Sequence, residues 1–251
     1  MIFLKNIIIN YCNKKNNSLY LHQFSNILIT YYMCFTSKNI KTGKIDYLIL
    51  GLGNPGKKYE KTRHNIGWLC VERLAQKYSA QFSKISQIAN FSKIEICNKN
   101  IVLAMPLTYM NLSGLAAKKL CNKFLLSPDK LLVVVDEYNF PIGKLHMKLN
   151  SGDGGHNGIA SIIYELATNG FYKLRCGIDR NFSQGELVDY VLSEFKNEEL
   201  DELEKMILNS VLAIEYFVEF GANKAMSEIN SGKLFAKDQN NTNLKKDDNP
   251  L

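Results

Sequence analysis

Apolar positions along this chain follow two patterns. Short aliphatic runs bounded by glycine or turn residues, Tyr47-Leu-Ile-Leu50, Ile101-Val-Leu-Ala-Met105 and Leu131-Leu-Val-Val-Val135, read as strands buried on both faces of a sheet. Elsewhere apolar residues recur at helical spacing: Trp68, Leu69, Val71, Leu74, Ala75 and Tyr78, then Leu200, Leu203, Ile207, Val211, Ile214 and Val218. The pattern predicts a first strand over 46–52, a helix after it, and a hairpin of 91–97 with 101–105 around Asn98-Lys-Asn100. A helix over 115–126 with Ser113 as N-cap follows, then strands over 131–135 and 172–179, a short helix over 185–192 and a long one over 197–220. Lys144 to Leu149 alternates, which predicts a half-exposed strand with Lys144, His146 and Lys148 on one face. Buried strands interleaved with helices predict the α/β class. The expectation is a single domain of three layers over 46–232, a twisted, mixed and mostly parallel sheet with helices on both faces.

The two ends read differently. Residues 1–45 show no sustained period and are read as an N-terminal extension. Its longest apolar segment, Ile27 to Phe35, is too short to span a membrane, so no membrane partner is expected. An acid-free, lysine- and hydroxyl-bearing composition suits a leader directing the chain to an organelle, mitochondrion or plastid, with the cytoplasm as the alternative. Residues 233–251 are Asn-, Lys- and Asp-rich and read as a disordered polar tail.

Charge changes this picture once it is located. The net charge of +7 suggests a polyanion partner, but residues 1–44 hold six lysines and no acidic residue, leaving 25 basic against 24 acidic residues in the remainder. A nucleic acid would therefore be held by a local patch, not by the overall field. The six cysteines are never closer than 22 residues apart, so C-x-x-C ligand spacing is lacking and zinc is not expected.

Candidate chemistry concentrates in Gly51 to Asn65, GLGNPGKKYEKTRHN, where a predicted strand enters a glycine-rich turn that delivers His64 to a helix start. Gly51, Gly53 and Gly56 match G-x-G-x-x-G, yet helical periodicity begins about eight residues later and no acidic residue ends a second strand, which argues against a dinucleotide site. Asp136 closes the strongest buried strand, at the edge where open α/β sheets bind ligands. Asn111 lies on a strand-to-helix loop, and Ser151 to Gly158 sets four glycines around His156 and Asn157 before a helix.

Four blocks, GLGNPGKKYEKTRHNIG, PLTYMNLSG, VVVDE with FPIGKL, and GGHNG with KLRCGID, together resemble the bacterial-type peptidyl-tRNA hydrolase family over residues 46–232. The resemblance implies an ester hydrolase that cleaves peptidyl-tRNA into peptide and tRNA and so recycles tRNA from stalled or aborted translation. It implies His64 as general base, Asp136 as its partner, and Asn54, Asn111 and Asn157 as substrate-positioning residues. Tyr59, Tyr109 and Met110 line the path of the peptide and terminal nucleotide in this reading, and Lys144, Lys148 and Arg175 form the RNA-binding patch. An imidazole near neutral pH suffices to activate water against an ester, so neither metal nor cofactor is implied, and a monomer is expected. Asn139, His146, Asp153 and Asp179 depart from the family pattern. The alternative is a catalytically idle RNA-splicing or RNA-binding assembly factor of the same fold, as in plastid intron splicing, which turnover of a blocked aminoacyl-tRNA distinguishes.

Overall fold

A computed structural model describes residues 43–236, all within one compact unit; the organelle-leader reading of residues 1–42 and the polar-tail reading of 237–251 lie outside the described residues. Seven strands form one sheet in the order β2-β3-β4-β1-β5-β7-β6: β1 Tyr47–Gly51, β2 Ser83–Ile85, β3 Ala89–Ile96, β4 Lys99–Pro106, β5 Leu131–Glu137, β6 Leu145–Lys148 and β7 Tyr172–Gly177. The pairs β4–β1, β1–β5 and β5–β7 are parallel, whereas β2–β3, β3–β4 and β6–β7 are antiparallel. The mixed, mainly parallel sheet matches the α/β expectation.

Among the described residues six α-helices accompany it: α1 Ile66–Lys77, α2 Ser113–Phe124, α3 Asn157–Leu166, α4 Leu187–Val191, α5 Leu200–Phe220 and α6 Ala222–Asn230. Strand alternation sorts the core into two layers. Ile49, Leu132, Val134 and Leu174 face α1, α5 and α6 with Val71, Leu74, Phe217 and Ile229. Leu48, Leu50, Val133 and Val135 face α2 and α3 with Ala117, Leu120, Ile159 and Ile162. The aliphatic runs carry no polar position because both of their faces are covered.

One close approach seats α1. A Cβ on Gly51 would lie 2.2 Å from the Gly67 carbonyl oxygen, and one on Gly67 would lie 2.4 Å from the Val134 carbonyl oxygen. Both atoms are backbone and have no room to give, so only glycines let α1 lie directly over β1 and β5. That contact sets where the residues just before α1 are held.

Several expectations are corrected. Ser113 is the first residue of α2 and not its cap; its buried hydroxyl donates back to the Met110 carbonyl at 2.8 Å. The edge strand β2 and helix α6 had no counterpart in the predicted elements; β2 is three mostly exposed residues, and α6 buries only Ala225 and Ile229. The core also runs past the predicted limits of the domain, since Ile45 and Leu234 are both buried in it. Among the described residues no helix is long and apolar enough to cross a membrane.

Candidate active site

β1 sits between β4 and β5, so the chain reverses its direction of travel across the sheet at this strand, and a crevice opens at the strands' C-terminal ends. The loop after β1 makes two short 3-10 turns, Lys57–Tyr59 and Arg63–Asn65, and the second holds His64 immediately before α1. Its flanking residues clamp it from both sides. The Arg63 guanidinium is buried, donates to Glu199 at 2.7 Å and to the Ile178 carbonyl at 3.3 Å, and lies 4.5 Å and 4.7 Å from the Tyr190 and Phe195 ring centroids. Asn65 accepts the Asn54 backbone N–H through Oδ1 at 2.8 Å and donates from Nδ2 to the Asn54 carbonyl at 3.0 Å. With both neighbours buried and bonded, the imidazole between them has one direction left, toward the end of β5.

There it meets Asp136. His64 Nδ1 lies 2.9 Å and 3.0 Å from the two carboxylate oxygens, and His156 Nε2 lies 2.9 Å from Oδ1. Only 2% of the Asp136 side chain is exposed against 12% of the His64 side chain, so the carboxylate is sealed while the imidazole still reaches the crevice. Burial pushes the Asp136 carboxyl up, but the two imidazoles beside it outweigh this and hold it well below the usual carboxylate range. For His64, burial lowers the pKa, and the charge and hydrogen bond of Asp136 overcome it, leaving the imidazole raised above its ordinary value. An ionised carboxylate accepts only, so both histidines must donate to it. His64 then carries its proton on Nδ1 and presents an unprotonated Nε2, the arrangement of a general base.

His156 was not among the expected site residues. It is the N-cap of α3: its Nδ1 accepts from the backbone N–H groups of Gly158 at 3.1 Å and Ile159 at 3.3 Å. His64, Asp136 and His156 could in principle hold a metal ion, with ligand atoms within 4.8 Å of one another. The donor set argues against it. With Nδ1 engaged by two N–H donors, the His156 proton sits on Nε2, and that nitrogen has no lone pair to offer without forming an imidazolate.

Asn54 is buried beside this pair. Its side-chain Oδ1 accepts the Met110 backbone N–H at 2.8 Å, which ties the β1 loop to the β4 loop and leaves Nδ2 as the group free to act on a ligand. Asn54 therefore has its Nδ2 donor to offer a ligand. Met110 is buried, Tyr59 is half-buried under the Lys58 ammonium at 4.7 Å, and Tyr109 is 56% exposed. Asn111, in the turn before α2, and Asn157, the first residue of α3, are exposed and available.

A family model described as peptidyl-tRNA hydrolase matches residues 48–239 of this chain. The chain belongs to this family. The peptidyl-tRNA hydrolase of Thermodesulfovibrio yellowstonii is 40% identical over 185 residues, covering 73% of this chain and 98% of that protein. That of Aquifex aeolicus is 38% identical over 187 residues, covering 74% and 97%. The crystal structure of peptidyl-tRNA hydrolase from Acinetobacter baumannii has a TM-score of 0.70 at 30% identity, covering 75% of this chain and 97% of that one.

In this member of the peptidyl-tRNA hydrolase family, the three expected RNA-binding cations do not form one exposed patch. Lys148 is exposed, and Lys144 is half-buried with Nζ 3.4 Å from the Asn230 carbonyl. Arg175 is buried: its guanidinium is paired with Glu137 and donates to the carbonyls of Gly152 at 3.0 Å and Asp153 at 3.4 Å. Lys173, two residues before Arg175 on β7, is fully buried over the Phe171 ring at 3.9 Å, and burial, with the Arg175 charge, lowers it to about 8. Three departures from the family pattern are self-satisfied: Asn139 bonds Glu137 Oε1, Asp153 Oδ1 accepts the Gly155 N–H, and Asp179 Oδ1 accepts the Arg180 N–H. His146 stands apart, with a buried Nδ1 that has no partner and a pKa lowered by burial and by Lys148, Lys144 and Arg175.

Nitrogen-15 spectra of the imidazoles at neutral pH check this geometry. His64 should appear as the Nδ1–H form and His156 as the Nε2–H form, and His64 should titrate above a free imidazole. Asp136→Asn should move that titration to lower pH, because the stabilisation of the imidazolium is lost. An Nδ1–H signal for His156 would contradict the cap.

Proposed function

We propose that the chain hydrolyses the ester bond of peptidyl-tRNA as a monomer, with His64 as general base and Asp136 as its orienting partner. The observation that carries this reading is the His64–Asp136 pair, buried on the carboxylate side and open on the imidazole side, in a chain of this family. Every group it needs comes from one chain. His64 Nε2 takes a proton from a water as that water attacks the acyl carbonyl carbon. The tetrahedral adduct collapses by breaking the bond to the ribose oxygen, which leaves as a hydroxyl after receiving the proton back from the imidazolium. Asp136 stabilises the imidazolium between these steps. Asn54, through its Nδ2 donor, is suited to a carbonyl oxygen or the developing oxyanion, where one donor is worth roughly 3 kcal/mol. Asn111 and Asn157 suit the peptide backbone, and Tyr59, Tyr109 and Met110 suit the walls of the path to His64.

His64→Ala should lower kcat by about 10²-fold or more with little change in affinity for a diacylaminoacyl-tRNA. Release of free tRNA by the parent chain at the rate of the variant would leave an RNA-binding factor as the better reading.

The buried pairing of Arg175 divides the cations. Lys148→Ala should raise KM and flatten its salt dependence by about 0.7 to 0.9 of a log-log unit, the signature of one lost phosphate contact. Arg175→Gln should instead lower stability, by about 3 kcal/mol, because it leaves Glu137 buried without its cation and releases the glycine loop. Urea unfolding together with KM at several salt concentrations separates the two, and a salt-slope change in the Arg175 variant at unchanged stability would restore it to the RNA-binding patch.

The acid-free, lysine-bearing composition of residues 1–45 supports import into an organelle. A fluorescent tag on the full chain should report a mitochondrion or plastid, and on a version starting at Met33 the cytosol; identical distributions would remove the targeting role.

A further inference from the structure

We propose that His156 is a positioning residue for the hydrolysis: its ring couples the N-terminus of α3, and with it Asn157, to the carboxylate that orients His64. This rests on His64 being the base. The two imidazoles are the hydrogen-bond donors to the Asp136 side chain among the described residues, and both reach the same oxygen, Oδ1, at 2.9 Å. A buried carboxylate held by one imidazole alone could turn about its own bond and carry that imidazole with it. A second donor from a different element removes the freedom.

His156 is a fixed donor because of what its other nitrogen does. Two backbone N–H groups at the start of α3 point at Nδ1, so the ring's proton is confined to Nε2 and faces Asp136. Gly158 packs beside the ring: a Cβ there would lie 3.1 Å from His156 Cε1, 2.6 Å from Met110 Sδ and 2.8 Å from Leu52 Cδ1. Met110 in turn is bonded to Asn54. An unbroken line of contacts thus runs from Asn54 through Met110, Gly158 and His156 to Asp136 and His64. Asn157 follows His156 directly, so the group suited to the peptide and the group that tunes the base are set by one turn of backbone.

Sharing also limits basicity. A carboxylate that accepts from two donors offers each less charge than it would offer one. His156 therefore keeps the His64 imidazolium from being over-stabilised, so that its neutral, base-competent form is available nearer neutral pH. The groups facing this pair are Asp136 from β5, His156 from α3 and the Cys176 thiol from β7, which lies close enough to feel the Asp136 charge.

Two substitutions take the functions of the ring apart. Asn at position 156 can place an acceptor near the Nδ1 position and keep the helix cap, but it does not reach Asp136. Gln can place a donor near the Nε2 position and loses the cap. In His156→Asn the acidic limb of the kcat/KM profile should move to higher pH by about half a unit or more, as Asp136 acts on His64 alone, and kcat should fall. The His64 titration followed by NMR should move the same way, independently of turnover. In His156→Gln the limb should stay at the parent position, while KM rises and the thermal midpoint drops as the start of α3 loosens. If His156→Gln does not fold, the comparison of His156→Asn with the parent still decides. A limb and a titration unmoved in His156→Asn would overturn the proposal and reduce His156 to a cap. Full activity in His64→Ala would overturn the base assignment instead, so the two failures are told apart.

Discussion

A carboxylate removed from water has to be met by donors, and the buried Asp136 is the constraint on which the site depends. An uncompensated charge there would cost several kcal/mol. Two imidazoles supply what water no longer does, and each arrives from a different part of the chain, His64 from the turn after β1 and His156 from the cap of α3. The requirement therefore spans three elements. β5 must end at Asp136, α1 must lie close enough to β1 to present the residue before it, and α3 must begin with its cap toward the sheet. The Gly51–Gly67 approach meets the second condition, since a side chain at either position would meet backbone and displace α1 by more than a hydrogen bond tolerates.

The cations show the converse logic. Arg63, Arg175 and Lys173 are all buried, and each is used inside the protein: Arg63 to lock the turn bearing His64, Arg175 to hold the glycine loop before His156 through Glu137 and two carbonyls, Lys173 over Phe171. These three cations are therefore committed inside the protein and are not offered to a polyanion. Lys148 and the neighbouring His146 remain on the half-exposed strand β6, where burial and the surrounding cations lower the His146 pKa. Of the three cations expected to bind RNA, Lys148 alone is exposed.

Much of this was legible in the sequence. Runs without a polar position predicted the central parallel strands because burial on both faces leaves no face for polar groups, and the helical spacing of the apolar residues from Leu200 to Val218 read directly as α5. β2 and α6 escaped because short or barely buried elements leave too few apolar positions to form a pattern. His64 and Asp136 stood out because one follows a glycine-rich turn and the other closes a buried strand.

What the sequence determined by itself was therefore the class of fold, the end of the sheet where chemistry collects, and the residue types gathered there, since periodicity and turn chemistry are local properties of the chain. Partnership was decided only by the tertiary structure. Nothing in the order of residues separates Arg175 from Lys148, yet one is buried against Glu137 and the other faces solvent, because strand register and not composition selects each neighbour. The same holds for His156. A histidine among glycines carries no mark of its tautomer, and the choice was made by two N–H groups at the start of α3 and a carboxylate twenty residues earlier, groups that share no pattern until the chain has folded.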